Sequence, residues 1–519
     1  MGIDTPVAGA KLSAFLTRHL ARMDDTALTS ALMQPAAYPQ PVSDIGLIET
    51  HISRLFLAGD LAYKVRKPVK FDFVDFSTAQ ARQEDCETEV RLNRRFAPAL
   101  YLGVVPIAPD RIGALRMEGD GAPVEYAVKM RRFPQDALLS EMIGAQRLTP
   151  AHVDALARRI ADCHAQLPHA SPADGYGAPA RIHATLDECL GGIARLTGDP
   201  AFAAIVAAQA RARADAVAPA LCARLLGGHV RECHGDLHLG NIVLLDGQPT
   251  PFDCLEFNPA LRWTDTIHDL AFPFMDLLHR GRQDLAYRLL NGYLEHGGDY
   301  AGLVLLPFYV AMRALVRARV GLERAHQQSA SMPAAQAECL GLLQLASHYL
   351  TRPPAAMLVM HGLSGSGKST VAARLCESGA MVRVRSDVER KRLRHGMTSA
   401  HGWYGDRETE RTYRRVLAIC RLGCRAGFPM IADATFLAQA RREPFARQAR
   451  RLGVPFHIVA CEAPVETLRA RIVARAQARQ DPSDADIAVL EQQLRTHDPL
   501  TPAERACVIS ADELPGAGH

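Results

Sequence analysis

Eight residues, Gly362-Leu363-Ser364-Gly365-Ser366-Gly367-Lys368-Ser369, constrain the fold of this chain more than any other stretch. They fit G-x-x-x-x-G-K-[ST], follow the apolar run AAMLVMHGL and lead into STVAARLCES, whose spacing predicts a helix. A loop of this kind works only where a buried strand feeds a helix. Its glycines let backbone N–H groups curl around phosphate oxygens, and the helix N-terminus adds positive dipole. Lys368 then reaches the β and γ phosphates, while Ser369, with Thr370 beside it, offers a hydroxyl to Mg²⁺.

Beyond this loop the pattern alternates strand and helix, which predicts a parallel α/β sheet. A second strand, MVRVRS, is expected to end at Asp387, with Arg390 one turn later, and a third, FPMIADATF, to end at Asp433. Carboxylates at the C-terminal ends of parallel strands point into the crevice where ligands bind. Asp387 is therefore placed to take a proton from an acceptor hydroxyl, and Asp433 to hold Mg²⁺ through water or to orient the acceptor. The stretch VETLRARIVARAQARQ predicts a helix with Arg471 and Arg475 four residues apart, followed by Arg479. Such a row suits a lid of cations over a transferring phosphoryl group, and equally a solvated helix face.

Strand, phosphate loop and helix, then Asp-x-x-Arg, Asp-Ala-Thr and the arginine row, resemble the small P-loop kinases over roughly 355–510. That group includes gluconate kinase, chloramphenicol phosphotransferase and the polynucleotide 5′-kinases, with AAA-type ATP binding. The Asp387/Arg390 pair is most similar to the polynucleotide kinase arrangement, which implies Asp387 as base and Arg390 as phosphate clamp. Ala434-Thr435-Phe436 after Asp433 departs from the group's pattern. The absence of an Asn-Lys-x-Asp guanine reader favours ATP over GTP.

The first part of the chain reads differently. Strand-like runs, LIETHISRLFLAG and LAYKVRKPV, meet at a Gly59-Asp60 turn, and a charged helix is predicted from Ser77 to Arg95. A strand pair, YLGVVPIA and VEYAVKM, follows around a turn at 119–121, and residues 150–230 and 264–350 have helical periodicity. Between those helical stretches lies His234-Gly235-Asp236-Leu237-His238-Leu239-Gly240-Asn241, which carries H-x-D-x-x-x-x-N, and the hairpin after it ends at Asp253. Phosphoryl transfer needs these parts in this order: Asp236 to receive the acceptor's proton, then Asn241 and Asp253 to hold Mg²⁺ on the phosphates. His234 is expected to lock the loop by hydrogen bonding.

With Gly where protein kinases have Arg, this loop resembles the H-G-D-x-H-x-x-N signature of the aminoglycoside phosphotransferase and choline kinase group, over about 42–330. The resemblance implies a two-lobed protein-kinase-like α+β fold, ATP with Mg²⁺, and Asp269-Leu270-Ala271 as an anchor of the helical lobe. His238 is expected to brace the loop. Strand LAYKVRKPV offers Lys64 as the phosphate lysine, with Lys67 competing, and the charged helix offers Glu89 or Glu87 as its ion-pair partner. The strand VEYAVKMRRF would run into a hinge that reads adenine. No G-x-G-x-x-G flap is present, only Gly59 at the first turn.

Composition bounds the rest. At about 100–200 residues per domain, 519 residues suggest two to four domains. They read as a helical extension (1–40), an aminoglycoside-phosphotransferase-like domain (41–350), a helix-breaking linker (351–354) and a P-loop kinase domain (355–519). A net charge of +4 argues against a protein that coats nucleic acid or a polybasic membrane binder. Lysine occurs only seven times among 60 Lys and Arg, and two of the seven are Lys64 and Lys368. Twelve cysteines form no paired framework, no apolar run approaches about 18 residues, and the N-terminus lacks the apolar core of a secretory signal. These features point to the cytoplasm.

The combined reading is a bifunctional phosphotransferase with two separate Mg/ATP sites, each passing a γ-phosphoryl group to a hydroxyl of a small molecule. Acceptors and oligomeric state are not legible in the sequence. One alternative is a single active kinase domain regulated by a nucleotide-sensing partner domain. Another is a nucleic-acid end kinase in the C-terminal half, for which Trp403 and Tyr404 are the only evident stacking platform.

Overall fold

The structure is a computed structural model that describes residues 25–71, 74–327, 331–351, 355–394, 406–478 and 486–510. It divides into two compact units. One comprises the residues up to Leu148 together with Glu232–Trp263, the other Thr149–Arg231 together with the residues from Thr264 onward.

In the first unit a short helix α1 (Asp25–Leu32) precedes strands β1 (Ile45–Glu49), β2 (Ser53–Ala58) and β3 (Leu61–Arg66). Gly59 takes φ +61°, a left-handed conformation that costs glycine little, and lets β2 and β3 pair as a hairpin. Helix α2 (Ala79–Asn93) starts where the Thr78 hydroxyl accepts from the Ala81 amide, and its Cys86, Glu89, Val90 and Asn93 are buried at helical spacing. Strands β4 (Tyr101–Pro109), β5 (Leu115–Met117) and β6 (Glu125–Arg131) complete a six-stranded antiparallel sheet in the order β1-β2-β3-β6-β4-β5. The short β5, three residues long, lies between the two expected strands. A β-hairpin, β7 (Ile242–Leu245) and β8 (Gln248–Pro251), carries the chain from the H-G-D block to Asp253. Two apolar clusters flank the sheet. One gathers Leu32, Tyr38, Phe56, Tyr63 and Val65; the other gathers Ala62, Cys86, Val90, Tyr101, Val128 and Met130.

The second unit begins with helices α3 (Pro150–Gln166), α4 (Pro179–Leu196) and α5 (Pro200–Leu226), and continues with α6 (Thr266–His279), α7 (Gln283–Gly297), α8 (Leu306–Gln327) and α9 (Met332–Leu350). Asp269, fully buried in α6, accepts from His164 Nε2 of α3 at 3.1 Å. The same unit contains a wholly parallel five-stranded sheet. Its strands are β9 (Met357–His361), β10 (Val382–Arg385), β11 (Met430–Asp433), β12 (Phe456–Ala460) and β13 (Val508–Ile509), in the order β10-β11-β9-β12-β13. Helices α10 (Lys368–Ser378), α11 (Ser386–Arg394), α12 (Asp406–Arg425), α13 (Gln439–Leu452), α14 (Val465–Ala478) and α15 (Ile487–Thr496) connect or follow the strands. The central strand β9 is apolar on both faces, as a strand covered by helices must be.

One local expectation changes. The second strand stops at Arg385, so Asp387 lies in the first turn of α11 and not at a strand end. An acidic side chain there is favoured by the N-terminal helix dipole. Residues 1–24, most of the expected linker, Trp403, Tyr404 and Arg479 lie outside the described residues. Among the described residues no helix is long and apolar enough to cross a membrane.

Candidate active sites

In the first unit, β3 alternates sides, which turns Lys64 and Arg66 to one face and Val65 to the other. Lys64 Nζ lies 2.9 Å from Glu89 Oε1 on α2 and 2.8 Å from Asp253 Oδ1 after β8. The competing candidates go elsewhere. Lys67 donates to the Thr50 carbonyl at 2.7 Å, and the exposed Glu87 accepts from Gln83. Burial works against the Lys64 ammonium, but Asp253 and Glu89 outweigh it and hold the amine protonated well above its ordinary range. Burial likewise raises the Asp253 carboxyl, and Lys64 more than reverses this, leaving it below the usual carboxylate range.

Arg66, two residues along the same strand face, was not singled out by its sequence, yet it is fully buried among carboxylates. Its guanidinium meets Asp85 at 2.6 Å, Glu89 at 2.6 Å and Glu256 at 2.5 Å, and donates to Ser53 Oγ at 2.8 Å. The readable signal was the i, i+2 spacing from Lys64 and the i, i+4 spacing of Asp85 and Glu89. Burial pushes the Glu256 carboxyl up to about 7 against the pull of Arg66 and Lys64.

Asp253 itself adopts φ +61°, a conformation uncommon for a residue with a side chain. Two side chains hold it there. Tyr101 OH accepts from the Asp253 amide at 3.1 Å, and Asn93 Oδ1 accepts from the Cys254 amide at 2.9 Å. Lys64, Glu89 and Asp253 line a cavity of about 540 Å³ whose walls include Leu55, Ala62, Met130 and Phe252. The strand β6 and the Arg131–Gln135 segment after it form one side of this cavity, where the adenine-reading hinge was expected.

The H-G-D block is fixed by its own hydrogen bonds. Asn241 Nδ2 donates to both the carbonyl and Oδ2 of Asp236, each at 3.0 Å, which leaves its amide oxygen as the group able to meet a cation. His234 Nε2 donates to the Phe252 carbonyl at 2.8 Å. His238 Nδ1 accepts from the Gly240 amide at 3.1 Å, so Nε2 carries the proton and faces Asp236 Oδ2 at 3.4 Å. Gly235 has φ +85°, and a Cβ there would sit 3.0 Å from the Leu261 carbonyl oxygen, so a side chain at this position is strained.

In the second unit, Gly362, Gly365 and Gly367 all take positive φ, and a Cβ on Gly362 would stand 2.3 Å from the Cys461 carbonyl oxygen. The loop therefore closes only with glycine. Lys368 Nζ donates to the Leu363 carbonyl at 2.7 Å and lies 3.4 Å from Ser366 Oγ. A cavity of about 370 Å³ brings Lys368, Ser369 and Thr370 together with Asp387, Arg390, Asp433 and Arg471. Arg390 reaches Thr409 Oγ1 at 3.3 Å, and Arg471 reaches the Gly365 carbonyl at 3.3 Å. Arg475 follows one turn further along α14, and its side chain lies outside the described part of the structure. Asp433, at the end of β11, is 5% exposed, and its Oδ2 has no hydrogen-bond partner among the described residues. Burial raises the Asp433 carboxyl above its ordinary range, with Arg383 and Arg385 pulling it partly back. Gln493 Oε1, from α15, accepts from the Ser364 amide at 2.9 Å, a contact no sequence pattern marked.

The phosphotransferase enzyme family matches residues 62–305, and an AAA domain matches residues 357–500. The choline/ethanolamine kinase family protein from Mesorhizobium loti is similar over 63% of this chain and 95% of its own, at 16% identity and a TM-score of 0.38. A gluconokinase from Sinorhizobium meliloti 1021 is similar over 31% of this chain and 82% of its own, at 18% identity and a TM-score of 0.22. The chain is thus a kinase-type phosphotransferase that joins an aminoglycoside-phosphotransferase-like part to a P-loop kinase-like part. It belongs to the family of the uncharacterized protein Rv2004c of Mycobacterium tuberculosis (strain ATCC 25618 / H37Rv), with which it is 32% identical over 467 residues. That match covers 86% of this chain and 90% of the relative, as does the match to the uncharacterized protein Mb2027c of Mycobacterium bovis.

Proposed function

We propose that the chain is a bifunctional ATP-dependent phosphotransferase with two Mg/ATP sites, each passing the γ-phosphoryl group to a hydroxyl of a small molecule in the cytoplasm. Its catalytic domains would span 41–350 and 355–519. The observation that carries the reading is the Lys64 ammonium held between Glu89 and Asp253 in a cavity of nucleotide size.

At the first site the acceptor oxygen attacks the γ-phosphorus while the bond to the β–γ bridging oxygen breaks. Asp236 takes the hydroxyl proton, and ADP is released. Asn241 and His238 hold the Asp236 carboxylate in place. Lys64 orients the phosphates and is itself oriented by Glu89. Asn241 and Asp253 are the groups that would hold Mg²⁺, which when bound neutralises charge on the phosphates.

At the second site the backbone around Gly362, Gly365, Ser366 and Gly367 cradles phosphate together with Lys368 and Thr370. Ser369 and Asp433 would hold Mg²⁺; the buried Oδ2 of Asp433, which accepts no hydrogen bond among the described residues, fits that role. Asp387 serves as the base for the acceptor hydroxyl, and Arg390, Arg471 and Arg475 supply positive charge around the transferred group.

Full-length protein, D236N and K368A, each incubated with γ-labelled ATP and a metabolite extract, test this. Each variant is expected to lose a different set of labelled products, and D236N combined with K368A to lose both. Undiminished labelling in the combined variant overturns the reading. A second reading, in which the P-loop part senses nucleotide for the other, is favoured by the hydrogen bonds that α7 makes to Met381 and Arg383. Under it, K368A alters the labelling that depends on Asp236.

A further inference from the structure

Strand β10 lies at an edge of the parallel sheet, where backbone groups have no neighbouring strand to pair with. Helix α7 supplies the partner through one side chain. The buried Asn291 donates Nδ2 to the Met381 carbonyl at 2.9 Å and accepts from the Arg383 amide at 2.7 Å. One turn further along α7, Glu295 takes up two side chains of the same strand. Its Oε2 meets Arg383 at 3.0 Å, and its Oε1 meets Arg385 at 3.1 Å.

These two arginines are also the cations that flank Asp433. Arg383 and Arg385 each stand 3.9 Å from Asp433 Oδ2, too far to donate to it. Arg383 Nη1 additionally donates to the carbonyl of Ser369 at 3.0 Å. One carboxylate of the helical region therefore grips both arginines that flank Asp433. Both arginines are drawn to Glu295, while Asp433 Oδ2 accepts no hydrogen bond among the described residues. Without the Glu295 charge, Arg383 and Arg385 lose the carboxylate that draws them away from Asp433. Opposite charges at this separation in a poorly solvated site attract strongly, so they would close on it.

We infer that Glu295 is a positioning residue for the P-loop site: by holding Arg383 and Arg385 back from Asp433, it keeps that carboxylate open to a divalent cation. The inference rests on the proposed reading of Ser369 and Asp433 as cation ligands. It also makes the P-loop site dependent on a helix that precedes the P-loop domain in the chain, so the two halves do not work as separable modules.

The test uses full-length protein in an Asp253→Ala background, which removes a cation ligand of the other site, and follows Mn²⁺ binding in the presence of ATP by electron paramagnetic resonance. E295Q is expected to weaken Mn²⁺ binding by about tenfold, the scale on which outer-shell partners of metal ligands act. ATP binding without metal should remain unchanged. Adding R385Q to E295Q removes one of the released cations and should recover part of the loss. Unaltered Mn²⁺ affinity in folded E295Q overturns the inference. If E295Q does not fold, E295D, which keeps the charge but withdraws it by one methylene, gives the second reading: a smaller loss supports the inference and an unchanged affinity overturns it. K368A in the same background separates the two levels. The number of ATP molecules bound per chain should fall by one in K368A: an unchanged number defeats the P-loop reading itself, whereas its fall beside an unaffected E295Q defeats only the role of Glu295.

Discussion

Lys64 Nζ lies 2.8 Å from Asp253 Oδ1, although 189 positions separate the two residues in the chain. Lys64 comes from the middle of a sheet strand, and Asp253 from a backbone bend fixed by Tyr101 and Asn93. Each raises the other's preference for its charged form, so the half-buried pair stays ionised. On the proposed reading, an ammonium and a carboxylate held in this way serve as a phosphate-binding cation beside a metal ligand.

K64M removes the cation while keeping much of the side chain's length. Transfer that depends on Asp236 should fall by about 100-fold or more, the scale seen when one preorganised charge partner of a transition state is lost. Labelling that depends on Lys368 should persist. The ratio kcat/KM for each product class, measured on the same preparation, checks this. K67M serves as the comparison, because Lys67 turns to the Thr50 carbonyl and should be nearly silent.

Much of that site was legible because its parts are local patterns. The H-G-D block, the Gly362–Ser369 loop and the alternation of LAYKVR each need only a few neighbouring residues to be recognised. Arg66 escaped because its meaning depends on Glu256, 190 positions away, and nothing near Arg66 marks it as buried. Glu295 escaped for a similar reason. On its own helix it is an acid like any other, and only the docking of β10 gives it two arginine partners. Asp387 was placed one element too early. The strand pattern of MVRVRS runs without a break into Ser386-Asp387, and the sheet itself ends the strand at Arg385.

Arg66 carries a structural prediction. Its guanidinium neutralises Asp85, Glu89 and Glu256, all of them buried. R66M leaves these carboxylates without their shared cation, and breaking a buried ion pair from one side costs about 3–5 kcal/mol. Urea unfolding of the full-length protein, followed by a probe in the first unit, should show a loss of that size. R66K should recover part of it, since an ammonium keeps the charge but loses the planar fork that reaches several acids at once.

Glu256 gives the same cluster a pH signature. Its folded carboxyl titrates at about 7, above the ordinary value of 4.5, because burial favours the neutral form. Between those two values the folded chain keeps a proton that the unfolded chain releases. Stability from this group is therefore present at low pH and is lost as pH rises through about 7. E256Q cannot titrate there. Relative to E256Q, the natural chain should lose on the order of 2 kcal/mol between pH 5 and 8. Unfolding curves at several pH values measure the difference, and parallel curves for the two proteins would exclude the buried proton.

Asn291 provides the last prediction, because its two hydrogen bonds close an edge of the parallel sheet. N291L keeps the volume but leaves the Met381 carbonyl and the Arg383 amide without the partner that α7 supplies. A buried backbone group that loses its partner costs about 1–3 kcal/mol. The loss should register in the unfolding of the second unit and leave the hydrogen bonds around Lys64 untouched. Amide hydrogen exchange resolves the location: protection should drop at Arg383, whose N–H has lost its acceptor, and stay constant at the Asp253 amide, which Tyr101 holds. The same substitution loosens the seat of Glu295 one turn away, so Mn²⁺ binding at the P-loop site should weaken in step with the lost protection. Reduced protection at Arg383 with unchanged Mn²⁺ affinity would show that α7 braces the sheet without tuning the site.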